Sequence, residues 1–136
     1  MATIVVGYDA SDCARAALKI AIEVAEAFGD DVRVVVAYEV SRLGGEVADF
    51  ASALAERAQE IARLASDQAA GVGGKIEAEV VEARTADALV EVADRLDARL
   101  IVVGSRGESP LRGALVGSTP HKLMQVTDRP LLVVPG

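Results

Sequence analysis

The residues best suited to chemistry lie between positions 104 and 122. Gly104-Ser105-Arg106-Gly107 is followed by nine residues and then by Gly117-Ser118-Thr119-Pro120. Glycine carries no Cβ, so its backbone N–H can approach a phosphate oxygen closely. The first turn of a helix adds N–H groups without intrahelical partners and the positive end of the helix dipole. Pro120 suits the first helical position, where its missing N–H deprives no carbonyl of a partner, and Ser118 or Thr119 can cap. Arg106, Arg112 and Lys122 outnumber Glu108 in this stretch, although the whole chain carries a formal charge of −7. A cationic spot on an anionic protein suits a small phosphate ligand. Any one of these glycines alone is compatible with an ordinary turn; the spacing of the whole stretch is what points to an anion site.

The rest of the composition narrows the chemistry further. An acidic chain lacks the basic face that neutralises nucleic-acid phosphates, and four aromatic residues (Tyr8, Phe28, Tyr38, Phe50) are too few for a base-stacking platform. Neither DNA nor RNA is expected as a partner. His121 is the single histidine and Cys13 the single cysteine, so a multi-histidine zinc site and an internal disulfide are both excluded. Cys13, set among alanines, reads as a packed helix residue, and His121 as an exposed one. The apolar runs are all shorter than a membrane span, and the start shows no signal-peptide pattern, so a cytoplasmic protein without membrane association is expected.

These residues need a scaffold, and the hydrophobic pattern supplies one. Short β-branched runs alternate with helical periods, as in βα units of a parallel sheet. Strands are expected at Thr3 to Gly7, Val32 to Tyr38, Lys75 to Glu82, Leu100 to Val103 and Leu131 to Val134. The unbroken apolar runs Val34 to Ala37 and Leu100 to Val103 fit central strands covered on both faces. The alternation of charged and apolar residues from Lys75 to Glu82 fits an edge strand. A first helix, Ser11 to Phe28, turns Ala14, Ala17, Leu18, Ala21, Ile22, Ala25 and Phe28 inward. Gly44 and Gly45 precede a long amphipathic helix, Glu46 to Ala70, with Val47, Phe50, Ala51, Leu54, Ala58, Ile61, Ala65 and Ala69 on its apolar side. A third runs from Thr85 to Leu96, and a short fourth from about Pro120 to Val126. With 51% apolar residues and no linker or repeat, residues 1–136 are expected to form one domain.

The signature Gly-x2-Gly-x9-Gly-Ser after the fourth strand resembles that of the universal stress protein family. The similarity extends to the opening Ile4-Val-Val-Gly-Tyr-Asp9-Ala-Ser11 and the closing Arg129-Pro-Leu-Leu-Val-Val-Pro135, and so spans the chain. The resemblance implies a Rossmann-like α/β fold of the adenine nucleotide alpha hydrolase type: an open parallel five-stranded sheet of order 3-2-1-4-5, with helices on both faces. In such a sheet the strand order reverses between the first and fourth strands, and ligands bind beyond the carboxyl ends at that point. Carried over from the family, Asp9 and Tyr38 lie near ribose and adenine, Val103 and Gly104 line the same pocket, and Gly107, Gly117, Ser118 and Thr119 hold phosphates. One departure is Pro120, where family members often have a hydroxyl residue; Arg106 and Arg112 are placed to compensate electrostatically.

The expected function is therefore that of a stress-response sensor, a regulatory module that binds ATP, with ADP and AMP as alternatives and Mg²⁺ as a companion ion. No Gly-x4-Gly-Lys-Ser/Thr run and no dedicated base are present, so catalysis is expected to amount to slow ATP hydrolysis at most. Two alternatives stay open: a slow ATP-hydrolysing enzyme of the same superfold, and a nucleotide-free dimeric interaction protein whose glycine loop is only structural. The wholly apolar last strand, Leu131 to Val134, falls at an edge in the implied order and invites pairing. The resemblance likewise implies a homodimer through it.

Overall fold

The computed structural model describes residues 2–40, 47–106 and 118–136. In chain order the elements are β1 (Thr3–Gly7), α1 (Asp12–Phe28), β2 (Asp31–Tyr38), α2 (Val47–Gln68), β3 (Ile76–Glu82), α3 (Thr85–Arg95), β4 (Leu100–Gly104), α4 (Ser118–Val126) and β5 (Leu131–Val134). The five strands form one sheet of order β3-β2-β1-β4-β5. Every pairing is parallel, with Val6 opposite Val34 on one side and Val102 on the other. The order expected from the family resemblance is thus observed, with β3 and β5 as the two edges.

Successive strand side chains point to opposite faces, so the continuous apolar runs feed two cores. Ile4, Val6, Val34, Val36 and Val102 belong to the core shared with α1 and α2, whereas Val5, Val35, Ile101 and Val103 belong to the one shared with α3 and α4. Alanine dominates the buried side of α1, at positions 14, 17, 21 and 25, which lets that helix lie close on the sheet. Ser11 caps α1 by accepting the Ala14 N–H at 3.1 Å. Gly29 ends the helix at φ 72, a left-handed conformation that disfavours a side chain, and its N–H returns to the Ala25 carbonyl.

Two aromatic residues expected inside are outside. Phe28 is 59% exposed and Phe50 55% exposed. At 22 residues α2 extends about 33 Å, against about 26 Å for the eight-residue β2 beneath it. The helix overruns the sheet; among its residues whose burial is described, the buried ones, Ala58, Ile61, Ala62 and Ala65, lie in the second half, and Phe50 sits in the overhang. Phe28 lies past the last buried residue of α1, where the Arg99 guanidinium covers its ring at 4.4 Å from the centroid. A smaller difference concerns α4, which starts at Ser118, two residues before the expected Pro120. Pro120 becomes the third helical residue, still among the four whose N–H groups lack intrahelical acceptors, so proline fits there as well. Among the described residues no helix is long and apolar enough to cross a membrane.

Candidate functional site

Because all strands are parallel, the starts of α1 and α4 fall at the same end of the sheet, beyond the carboxyl ends of β1 and β4. Those two strands are neighbours with connections that depart to opposite faces, which creates a crevice at the reversal of strand order. Two helix N-termini, each with the partial positive charge of its helix dipole, lie at that end of the sheet.

The turn from β1 into α1 is held at several points. Asp9 Oδ1 accepts the Ser11 N–H at 3.0 Å, so the carboxylate organises the turn as well as standing at the crevice end of β1. Ala10 adopts φ 65, and its carbonyl accepts from Arg15 Nη1, while Arg15 Nη2 binds the Asp12 carboxylate. Tyr8 is buried against the α1/α2 core, and its hydroxyl donates to Gln68 Oε1 at 3.1 Å; burial raises the pKa of this phenol. Gln68 Nε2 in turn donates to the Arg15 carbonyl at 2.9 Å.

At the end of β4, Val103 is buried, Gly104 and Ser105 are half-buried and Arg106 is exposed. The Ser105 N–H donates to the Val134 carbonyl at 2.9 Å and extends the ladder with β5 by one bond. Gly104 has a reason for being glycine besides the expected approach of a phosphate: a Cβ there would lie 2.6 Å from Cys13 Cβ and 2.8 Å from the Cys13 carbonyl carbon. The first turn of α1 therefore passes directly over the end of β4. Cys13 Sγ lies 3.7 Å from Ser105 Oγ. Burial pushes this thiol up, but the Ser105 hydroxyl, the Arg106 and Gly136 N–H groups and the Arg106 charge together bring it below the ordinary thiol value. The packing role expected for Cys13 is observed, and the sulfur also joins α1 to the 104–106 segment.

The remaining expected site residues are distributed as follows. Val35 pairs with Gly7, so Tyr38 stands three residues further along β2, about 10 Å beyond that level. It is half-buried against the α1/α2 core, and its carbonyl accepts the Ala83 N–H at 2.9 Å. Glu39, alongside, pairs with Arg84 at 3.4 Å. Ser118 is exposed and Thr119 half-buried in the first turn of α4, with His121 and Lys122 exposed after them. Gly107 and Gly117, with Glu108 and Arg112, lie outside the described residues, as do Gly44 and Gly45. Asp9, Val103, Gly104, Arg106, Ser118 and Thr119 thus belong to the carboxyl-end loops and helix starts of β1, β4 and α4, while Tyr38 stands further out on β2. The sequence reading missed the Arg15–Ala10 contact and the seating of Cys13 on Gly104. Nothing in an alanine or a lone cysteine signals a left-handed turn or a close approach.

The sequence profile of the Universal stress protein family matches residues 1–135. A universal stress protein of Methanocaldococcus jannaschii is 32% identical over 136 residues, covering 96% of this chain and 80% of that one. A universal stress protein solved in complex with cAMP is 33% identical, with a TM-score of 0.76 over 98% of this chain and 96% of its own. The Archaeoglobus fulgidus universal stress protein in complex with dAMP shares the fold at 23% identity, with a TM-score of 0.76 over 98% of each chain. With the five-stranded order, the 104–119 signature and a match along nearly its whole length, the chain belongs to the universal stress protein family.

Proposed function

We propose that this protein binds an adenine nucleotide at the β1/β4 crevice and acts as a nucleotide-dependent regulatory module in a stress response. The observation that carries the reading is the convergence of two helix N-termini with the glycine-led segment 104–106 at the reversal of strand order. The relative of 33% identity in complex with cAMP supports an adenine base and at least one phosphate as the ligand. ATP is the form proposed, with ADP and AMP as alternatives. Asp9 would accept from ribose hydroxyls, Tyr38 would lie towards adenine, and Val103 and Gly104 would line the pocket between them. Gly107, Gly117, Ser118 and Thr119 would donate to phosphates, with Arg106 adding positive charge.

No group of three or more metal-ligating side chains forms among the described residues. A magnesium ion arriving with ATP would rest mainly on the phosphates and their waters, a mode that this cation favours. Without a dedicated base, turnover would be slow, and binding is the function proposed. A cytoplasmic location follows from that ligand.

A homodimer through β5 completes the proposal. The strand is an unpaired edge of the sheet, with Leu131, Leu132 and Val133 half-buried. Its start is held in place by Arg129, which binds Asp94 at 3.0 Å, Asp97 at 3.1 Å and the Ala98 carbonyl at 2.8 Å. A two-fold axis along this edge would pair the strands of two copies.

The decisive experiment is to denature the purified protein, identify any released nucleotide by chromatography, and titrate stripped protein calorimetrically with ATP, ADP, AMP and cAMP, with and without Mg²⁺. The expected result is adenine-nucleotide occupancy and a saturable heat. No released nucleotide and no heat with all four ligands would overturn the reading.

A further inference from the structure

We infer that Arg15 is a positioning residue whose guanidinium clamps a strained turn at Ala10 and thereby sets the place of Asp9. The inference rests on the proposed nucleotide site and adds to it a residue outside the glycine signature.

Ala10 lies at φ 65, in the left-handed region. A residue with a Cβ populates that region about tenfold less than its ordinary conformations. Such a turn persists only where neighbouring contacts hold it, and strain held beside a ligand-binding group marks a functional constraint. The contacts are present on both sides. From upstream, Asp9 Oδ1 reaches across the turn to accept the Ser11 N–H at 3.0 Å, and Ser11 Oγ, after the turn, accepts the Ala14 N–H at 3.1 Å. Downstream, Arg15 places one guanidinium nitrogen on the Ala10 carbonyl and another on the Asp12 carboxylate. Only a planar fork donates to two such acceptors at once in fixed geometry; an ammonium group has no equivalent.

The base of the clamp is itself anchored. Gln68 Nε2 binds the Arg15 carbonyl at 2.9 Å, and Gln68 Oε1 receives the Tyr8 hydroxyl at 3.1 Å, so α1, α2 and the residue that follows β1 all fix where the guanidinium can reach. Without Arg15, the turn relaxes to a conformation with negative φ at Ala10, and Asp9, its immediate neighbour, moves with it. Glycine at position 10 removes the strain, and with it the need for a clamp.

The test is a mutant cycle read by ATP titration and by thermal melting. Arg15→Met is expected to weaken ATP binding about tenfold, the population of the strained turn that the clamp restores. Arg15→Lys is expected to weaken it comparably, since it keeps the charge and loses the fork. Ala10→Gly alone should bind within about twofold of wild type, and Ala10→Gly with Arg15→Met should recover most of the loss. Full affinity in Arg15→Lys, together with no rescue by Ala10→Gly, would overturn the inference and make Arg15 a simple attractor of phosphate charge.

Melting separates this inference from the functional reading on which it rests. If wild type binds no adenine nucleotide, the proposed function fails, and the clamp is judged by stability alone. Removing Arg15 should then lower the melting temperature more in the Ala10→Gly background than in wild type, because only the wild-type turn recovers strain when released. Equal losses in the two backgrounds would show that the residues act independently and would overturn the clamp.

Discussion

Gly104→Ala should be among the most damaging single-methyl additions in this protein. The added Cβ would meet Cys13 Cβ at 2.6 Å, its carbonyl carbon at 2.8 Å and its carbonyl oxygen at 3.0 Å, whereas carbon atoms rest at about 3.5–4.0 Å. Relief requires a shift of about 1 Å between the end of β4 and the first turn of α1. Neither side yields easily: Val103 is 4% exposed, and Ala14, Ala17 and Leu18 are 4%, 0% and 0% exposed, so moving α1 disturbs a close-packed interface. Overpacking of this kind destabilises by about 1–3 kcal/mol, and contact with main chain places the expected value near 3 kcal/mol. For a chain of this size that lowers Tm by on the order of 10 °C. Urea denaturation followed by circular dichroism measures it, with Gly7→Ala as the internal comparison. There the new Cβ would meet Leu89 Cδ1 at 3.1 Å and Leu89 Cδ2 and Val103 Cγ1 at 3.4 Å, all side-chain atoms that need give by only a few tenths of an ångström, and the expected loss is about 1 kcal/mol. Cys13→Ala should not rescue Gly104→Ala, because the clash is with Cβ and main chain rather than with sulfur. An unchanged urea midpoint in Gly104→Ala, or a larger loss in Gly7→Ala, would refute the reasoning.

Two further outcomes follow from the ends and edges of the sheet. Asp30 is buried, binds Arg99 at 2.5 Å and accepts the Ala2 N–H at 3.2 Å, and the Arg99 hydrogen bond chiefly holds its carboxyl below the ordinary value. A depressed carboxylate contributes stability that is fully present above its unfolded pKa, about 3.9, and is lost as pH falls through the folded value. Asp30→Asn should therefore destabilise by about 2 kcal/mol at pH 7 and by much less near pH 2; equal losses at both pH values in urea melts would show that the charge is irrelevant. The proposed β5 pairing predicts a light-scattering mass near twice 14.1 kDa at micromolar concentration, and a monomeric mass would remove it.

How far the sequence could be read depended on the kind of interaction involved. Strands covered on both faces announce themselves as apolar runs, and α1 and α3 by their helical period, so the element order and the edge character of β3 were recoverable from residue types alone. Depth was not: Phe50 has the right spacing to face inward, yet α2 outruns the sheet and leaves it wet, which only the relative lengths of packed elements reveal. Backbone conformation was equally hidden at Ala10, where a residue that ordinarily avoids positive φ is held there by an arginine five positions on. Gly104 shows how the two levels meet. As sequence it is one glycine of a signature, and its missing side chain suggests room for a phosphate. In the fold that same absence lets α1 begin directly above β4, which brings the helix N-terminus to the crevice. The packing requirement and the electrostatic one are therefore met by a single residue, so a substitution there should weaken stability and nucleotide affinity together rather than trading one against the other.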